Sequence, residues 1–506
     1  MRITSLLAAA FCLLSTAPAA ALTLDIPPPA ASADKRGASA PSGLAVQPVL
    51  RAGVPVPLDL DVAASAWRSS GDGEALWSLT LRSADARFLG LRLDAPQLPE
   101  GAEVRLLGAH GQVRGPYDNT DLDDRGQLWI PLVHGDSAEL ELRVPAADST
   151  EVRLGAGTLH YGMHPLDGSR PATKAQGDAG NCHNDVACPQ GDGWDRTIRS
   201  TALLIIGNQL VCNGVLLNNT RRDGDPLVVT ADHCGIRSDA VADESDSDDR
   251  FPAESVSVVF NFQAQQCGDT QRVMQSDRID GAEILYRDRR ADTTLIRLER
   301  MPPAAFGVRY AGWDASGSGA DTGSGVHHPR GDLKKISLFE QSLSPQTVTI
   351  SGGGARDGSQ EVDAWRVDWA DGVTEPGSSG SGIWNPQQRL LGVLSGGSSQ
   401  CGTDGLLLGI GAQPEIQGPD FYGRLAVAFD SPGELGTPLR AFLDPAASGA
   451  RSLNARSDSG ATPSPTDEGA ASGSSGGGAG MPLFTLLLAA AWRQRRRLSG
   501  YGDPSR

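Results

Sequence analysis

The chain has 506 residues, which at roughly 150 per unit suggests about three domain-sized parts. Lys+Arg 44 against Asp+Glu 61 gives a net charge of −17, so a nucleic-acid-binding protein is not expected, because phosphate recognition needs a basic surface. At 39% hydrophobic and 21% charged, the bulk is neither membrane-embedded nor disordered by composition, and 62 glycines favour a turn-rich β protein over a helix bundle.

In chain order, Arg2, the apolar run Leu6 to Leu14 and the small residues Ala19-Ala20-Ala21 read as a signal peptide over 1–21. Cys12 lies inside that run, which leaves six cysteines in the exported chain; an even number there predicts three disulfides. Residues 22–55, rich in Ala, Pro and Ser, are expected to be unstructured. From about 57 to 166 the pattern is strand-like. Trp77, Leu79 and Leu81 alternate with Ser78, Thr80 and Arg82, and Leu140, Leu142 and Val144 alternate with Glu139, Glu141 and Arg143. Period-two alternation puts one set of side chains on a buried face. Further runs at 89–93, 104–107 and 128–133, separated by Gly- and Asp-rich turns, predict a small antiparallel sandwich. His110, His134, His160 and His164 lack metal-ligand spacing and are read as surface or turn residues. Residues 167–181 read as a polar linker with Lys174 exposed.

A second unit runs from Cys182 to about residue 453 and holds all six remaining cysteines. Its short strands, at 203–206, 227–230, 256–260, 295–298, 347–350 and 390–394, fit a barrel or a pair of barrels. The acidic run Asp239, Asp243, Glu244, Asp246, Asp248 and Asp249 lacks the ordered spacing of a calcium loop and reads better as a solvated loop. Residues 456–480 form a Ser/Gly-rich linker. Met481 to Trp492 is a mostly apolar stretch of twelve residues, short against the ~20 of a bilayer span, followed by Arg493, Arg495, Arg496 and Arg497.

Three segments of the second unit belong together: Thr230-Ala231-Asp232-His233-Cys234-Gly235 after a hydrophobic strand, Ala291-Asp292-Thr293-Thr294-Leu295, and Glu375-Pro376-Gly377-Ser378-Ser379-Gly380-Ser381. They offer a His, an Asp and a Ser. A Ser hydroxyl is a weak nucleophile at neutral pH and needs a base, for which His is suited. A buried Asp on the other ring nitrogen sets the tautomer and stabilises the imidazolium. A Gly-Ser-Ser-Gly turn lets backbone N–H groups, those of Gly377 and Ser379, face a tetrahedral oxyanion. No metal-ligand motif or cofactor signature is present in the sequence, so no metal and no cofactor are expected.

These motifs resemble the chymotrypsin-type double β-barrel, and more closely the bacterial lysyl endopeptidases. The resemblance is carried by Cys182-x5-Cys188-Pro189-x-Gly191-Asp192-Gly193, Ala311-Gly312-Trp313-Asp314, His327-His328-Pro329, Gly372 to Ser381, Asp420-Phe421-Tyr422-Gly423-Arg424 and Leu443-Asp444-Pro445. It covers about 182–455 and implies His233 as base, Asp292 as its orienter and Ser379 as nucleophile. It further implies the disulfides Cys182–Cys401, Cys188–Cys267 and Cys212–Cys234, the last closing a loop that contributes about 3 kcal/mol in the chain-entropy model. The position that holds the pocket acid in trypsin is Val373 here. In lysyl endopeptidases that acid comes from the Asp-x-Tyr-Gly-Arg segment, which matches Asp420; a buried carboxylate there would select Lys or Arg. The alternative is that Asp420 pairs with nearby Arg424. Ser351 and Ser395 stand where the family carries a Trp and a His, and the stretch from Cys401 to Asp420 is longer than the family's.

The residue before the nucleophile is Ser378, so the trypsin-type switch in which a new N-terminus pairs with an Asp is absent. Residues 22–174 are expected to be a propeptide, cut after Lys174 by the enzyme itself to leave a protease domain over 175–455. The C-terminal tail resembles a GlyGly-type sorting signal, implying transient anchoring and cleavage by a rhomboid-type protease; a plain membrane anchor over 481–497 is the alternative. The expected protein is all-β, a secreted monomeric serine endopeptidase acting on protein or peptide substrates. The competing reading is a binding or adhesion module on a protease scaffold at the cell envelope.

Overall fold

The computed structural model describes residues 22–29, 49–62, 67–71, 73–109, 111–166, 179–238, 250–269, 277–351, 359–401 and 416–457. The signal peptide, Lys174, the acidic run 239–249 and the C-terminal tail lie outside the described residues.

The N-terminal alternation builds a sandwich. One sheet runs in the order Leu22–Asp25, Glu74–Arg82, Ser137–Pro145, Glu103–Gly108, Val113–Tyr117, and the other in the order Gly53–Leu60, Gly155–Gly162, Phe88–Asp94, Gln127–His134. Leu140 pairs with Leu79 and Leu142 with Trp77, so the alternating apolar residues share one face. Trp77, Leu81, Leu140 and Leu142 are buried against Leu89, Leu91 and Leu159 of the second sheet. Side chains of this size contribute roughly 1.5–3 kcal/mol each when taken out of water.

The structure corrects two expectations here. Part of the stretch 22–55 is ordered: Leu22–Asp25 pairs in parallel with Leu79 to Arg82, and Leu50–Arg51 and Gly53–Leu60 are strands. Along Gly53–Leu60 Val54, Val56, Leu58 and Leu60 alternate with Pro55, Pro57 and Asp59, and the two prolines are exposed on a strand at the end of its sheet, where missing N–H donors are tolerated. His134 and His160 are also fully buried rather than on the surface. Burial depresses His160 to a pKa of about 3, with Arg92 adding to the effect, so it stays neutral and stacks on Trp129.

The second unit consists of two curled antiparallel sheets in a chymotrypsin-like double β-barrel. The first has the order Arg278–Asp280, Val256–Val259, Thr201–Ile206, Leu210–Leu217, Leu227–Thr230, Thr293–Leu298, Ala282–Asp288. The second runs Asn184–Asp185, Lys335–Phe339, Gly323–His327, Gly382–Trp384, Arg389–Gly397, Asp420–Arg424, Ser359–Val367, Ser344–Ser351. Apolar residues from both sheets, including Val229, Leu295, Trp313, Trp384 and Val393, share a buried cluster. The unit extends past the expected boundary at 455, because Arg456–Ser457 pairs with Arg309–Tyr310.

Candidate active site

His233 and Asp292 leave the same end of one antiparallel strand pair. Thr230 pairs with Thr294, His233 sits on the short turn Asp232–Cys234 that follows Leu227–Thr230, and Asp292 precedes Thr293–Leu298. The Cys234–Cys212 disulfide ties that turn to the neighbouring strand. One carboxylate oxygen of Asp292 accepts the His233 backbone N–H at 3.0 Å, and the other faces His233 Nδ1 at 2.8 Å. A carboxylate only accepts, so Nδ1 carries the proton and Nε2 is left as the basic nitrogen. Among the described residues Nε2 has no hydrogen-bond partner. Asp292 itself holds a left-handed backbone at φ 45°, a conformation that costs a non-glycine residue of order 1–3 kcal/mol and persists only where the surroundings impose it.

Ser379 stands on the turn between Glu375 and Ser381, which is hydrogen-bonded to the first barrel through one residue. Asn213 donates its backbone N–H to the Ser379 carbonyl at 2.7 Å and its side-chain amide to the Gly377 carbonyl at 2.7 Å. Gly380 completes the approach. Its φ is +76°, and a Cβ there would lie 2.5 Å from the Asn213 carbonyl oxygen and 3.0 Å from the Ala231 nitrogen, so only glycine allows the turn to reach the strand that leads to His233. Among the described residues the N–H groups of Gly377 and Ser379 donate to no acceptor. Two unpaired donors, the N–H of Ser379 itself and that of Gly377 two residues before it, suit a developing oxyanion.

A chain of buried groups runs beneath this turn; the sequence reading quoted His327 only within the family resemblance and gave it no role. Ser337 donates its hydroxyl to the Val373 carbonyl, so it accepts from His327 Nε2–H at 3.2 Å. His327 Nδ1 is then the acceptor for the Ser378 hydroxyl at 2.8 Å, and Ser378 Oγ accepts the Glu375 N–H at 3.3 Å. Burial holds His327 well below its ordinary pKa, with His183 adding to the effect, and the neutral ring suits this relay. Glu375 accepts from the Gly180 N–H at 2.9 Å, from His183 Nε2 at 3.0 Å and from Arg330 Nε at 3.0 Å. Burial opposes its ionisation, but these partners hold its carboxyl below the usual range.

Asp420 lies under the same loop and is completely buried. One oxygen accepts from Trp369 Nε1 at 2.7 Å, Thr374 Oγ1 at 2.8 Å and Ser399 Oγ at 2.6 Å, and the other accepts from the Ser399 N–H at 3.3 Å. The pair with Arg424 does not form; that guanidinium stacks over Trp365, 4.5 Å from the ring centroid. Burial pushes the Asp420 carboxyl up despite its hydrogen bonds, and among the described residues no cation balances it. Gly397 leaves the carboxylate room, since a Cβ there would meet the Asp420 oxygen at 1.9 Å. Trp369, Thr374 and Ser399 were not singled out from the sequence. Thr374, one residue before Glu375 in the quoted motif, was the available signal.

The remaining cysteines pair as the resemblance implied, Cys182 with Cys401 and Cys188 with Cys267. Among the described residues no cluster of His, Cys, Asp and Glu could hold a metal ion.

Comparison with known proteins gives the family. The family model described as lysyl endopeptidase, C-terminal domain, matches residues 176–407, and that of the lysyl endopeptidase N-terminal domain matches 54–159. The lysyl endopeptidase of Pseudomonas aeruginosa is 30% identical over 367 residues, covering 68% of this chain and 73% of the relative. Among solved structures, a Glu endopeptidase covers 49% of this chain and 94% of its own, at 15% identity and a TM-score of 0.28. Rv3671c of M. tuberculosis H37Rv covers 47% and 89%, at 14% identity and a TM-score of 0.27. Such distant structural likenesses carry no argument beside the sequence matches. With a relative 30% identical over 68% of the chain and family models matching in both units, the chain belongs to the lysyl endopeptidase family and is a serine endopeptidase acting on protein or peptide substrates.

Proposed function

We infer that the protein is the precursor of a secreted endopeptidase that cuts peptide bonds after Lys, and also after Arg, through an acyl-enzyme. The observation that carries the reading is Asp420, a buried carboxylate with four hydrogen bonds and no cationic partner among the described residues, beside a Ser379 turn with two unpaired N–H groups. An ionised carboxylate out of water is costly unless a cation approaches it, so a Lys side chain entering from the substrate is favoured. Ser379 Oγ attacks the carbonyl carbon after that Lys while His233 Nε2 takes the hydroxyl proton. The Gly377 and Ser379 N–H groups receive the oxyanion. His233 returns the proton to the leaving amine, and water repeats the sequence to free the acid. Asp292 keeps the ring oriented and stabilises its charge.

The maturation scheme belongs to the same reading: residues 1–21 as signal peptide, 22–174 as a propeptide cut after Lys174, and the tail from 458 as linker and sorting signal for a rhomboid-type protease. Support for the propeptide comes from the separate family match to 54–159 and from a core that is its own.

A matched peptide set differing only in Lys, Arg, Ala or Leu before the scissile bond, given to secreted protein beside Ser379→Ala, tests the reading. Lys cleavage is expected to dominate and to vanish in the variant. Preferred turnover of Ala or Leu would remove Asp420 from the pocket, and no turnover by folded, processed protein would favour the binding-module reading.

A further inference from the structure

We propose that Asp232 and Arg287 are positioning residues for the base His233, and that Glu434 completes the charged cluster they form. This rests on reading His233 as the base of the reaction. Asp232 immediately precedes His233, and its side chain is fully buried, as is that of Arg287 on the strand Ala282–Asp288. The two form an ion pair in which Arg287 Nε donates to an Asp232 carboxylate oxygen. Strand register explains the meeting. Thr230 lies opposite Thr294, and Thr294 lies opposite Arg287, so the three stand in one row across the sheet. The turn Asp232–Cys234 leaves from the end of that row.

The pair acts on the catalytic couple through the backbone. The Asp232 N–H donates to the Asp292 carbonyl at 3.2 Å, beside the two contacts that the Asp292 carboxylate makes to His233. Clamping the Asp232 side chain therefore fixes the path by which the chain enters His233. The Asp292 side is held from the same strand end. Asp288 accepts the Ala291 N–H at 2.9 Å, and the Arg289 carbonyl accepts the Asp292 N–H at 3.1 Å, which imposes the left-handed backbone of Asp292. One strand end thus sets both members of the couple, Arg287 through Asp232 and Asp288 through Ala291.

Charge matters as much as geometry. A bare Asp232 carboxylate would be a second anion beside the ring, favouring its protonated form and leaving less base at neutral pH. Arg287 cancels it. Burial lowers the Arg287 guanidinium to about 10, with Glu434 acting to raise it, so it carries a full charge at neutral pH. Glu434 meets Arg287 at 3.3 Å and Arg289 at 2.8 Å, and its N–H donates to the Arg287 carbonyl at 2.8 Å. Gly433, at φ 58°, lets this loop approach, since a Cβ there would lie 2.2 Å from the Arg287 carbonyl oxygen. Two further charges face the couple: Arg250, buried within reach of Glu434 and Asp292, and Asp288, whose other oxygen meets the Tyr286 hydroxyl at 3.1 Å. Arg237, further along the chain from the turn, faces Asp123 at 4.0 Å instead. Asp232, Asp288 and Glu434 thus balance Arg250, Arg287 and Arg289, and the charge of Asp292 is left for the imidazolium.

The test is the pH profile of kcat/KM on a Lys peptide for wild type, Asp232→Asn, Arg287→Met and the double variant. Arg287→Met leaves an unbalanced carboxylate, so the acid limb, where the base takes up its proton, is expected to move up by about one pH unit. Asp232→Asn leaves an unbalanced guanidinium and is expected to move the limb down by about as much. The double variant is expected to bring the limb back to its wild-type place with kcat lowered about tenfold, because the turn is no longer clamped. A pair that only packs would weaken all three variants without moving the limb in opposite directions. Removing one partner of a buried pair is strongly destabilising. Should a single variant fail to fold, Glu434→Gln at the solvent edge of the cluster decides, with a smaller downward shift expected. Limbs that coincide with wild type in every folded variant, shifts of one sign in both single variants, or a double variant as fast as wild type would overturn the proposal. A His233→Ala chain as active as wild type, or a wild type without turnover, counts against the reading of His233 as base; unmoved limbs beside an inactive His233→Ala chain count against this proposal alone.

Discussion

At the scale of single residues, Asp420 has the clearest pH signature. Burial raises its carboxyl, so on acidification it takes up a proton at a higher pH than an ordinary carboxylate, and in the proposed reading it loses its attraction for Lys there. KM for a Lys peptide should therefore rise on acidification with an inflection above the ordinary Asp value, and Asp420→Asn should abolish both the inflection and the Lys preference. The effect on stability has the opposite sign. A raised folded-state pKa means the native chain holds this proton more tightly than the unfolded chain, so stability is fullest below the ordinary pKa and is lost as pH rises through the raised one. Asp420→Asn should then be at least as stable as wild type at neutral pH, measured by urea unfolding. A lowered midpoint there would show that the hydrogen bonds from Trp369, Thr374 and Ser399 outweigh the buried charge.

At the scale of elements, Asn213 couples the two barrels. Its side chain donates to the Gly377 carbonyl and accepts the His328 N–H at 2.9 Å. Asn213→Ala leaves both buried groups unpaired, at about 1–3 kcal/mol each. The protein should lose about 2–6 kcal/mol of stability, but its kinetic effect should fall on kcat, with KM for the Lys peptide nearly unchanged. In the proposed reading Asn213 orients the turn that meets the transition state, and it makes no hydrogen bond to Asp420. An equal rise in KM would mean that the turn only packs. The strands that position these residues were largely readable. Leu227–Thr230 and its neighbours are short apolar runs bounded by turns, and the sandwich strands alternate cleanly. Gly323–His327 was not, because Gly and Ser dilute the apolar signal that a strand carries, and Gly53–Leu60, whose Val54, Val56, Leu58 and Leu60 do alternate, was passed over for the prolines between them.

At the scale of the whole molecule, the Cys182–Cys401 bridge joins residues 219 apart and fastens the start of the second unit to the chain just after Ser399. Replacing both cysteines by Ser should cost about 2–5 kcal/mol, chiefly by freeing the unfolded chain. It should also raise KM for Lys more than for Ala peptides, because Ser399 holds Asp420. Denaturant midpoints and the peptide set measure the two effects separately. A loss of stability with unchanged Lys preference would confine the bridge to the fold.

The sequence by itself determined the reaction class. The His, Asp and Ser motifs are local, each a turn of a few residues whose chemistry is written in its own composition, and the same holds for the alternating strands and the even cysteine count. Only the tertiary structure decided what depends on chain segments far apart. That Asp420 meets Trp369, Thr374 and Ser399 instead of Arg424 follows from strand pairing and burial, which no local spacing encodes. That His327 braces Ser378, and that Arg287 meets Asp232, likewise follows from sheet order. A side chain's partner across a sheet is set by the register of the strands, and register is settled by packing the whole core.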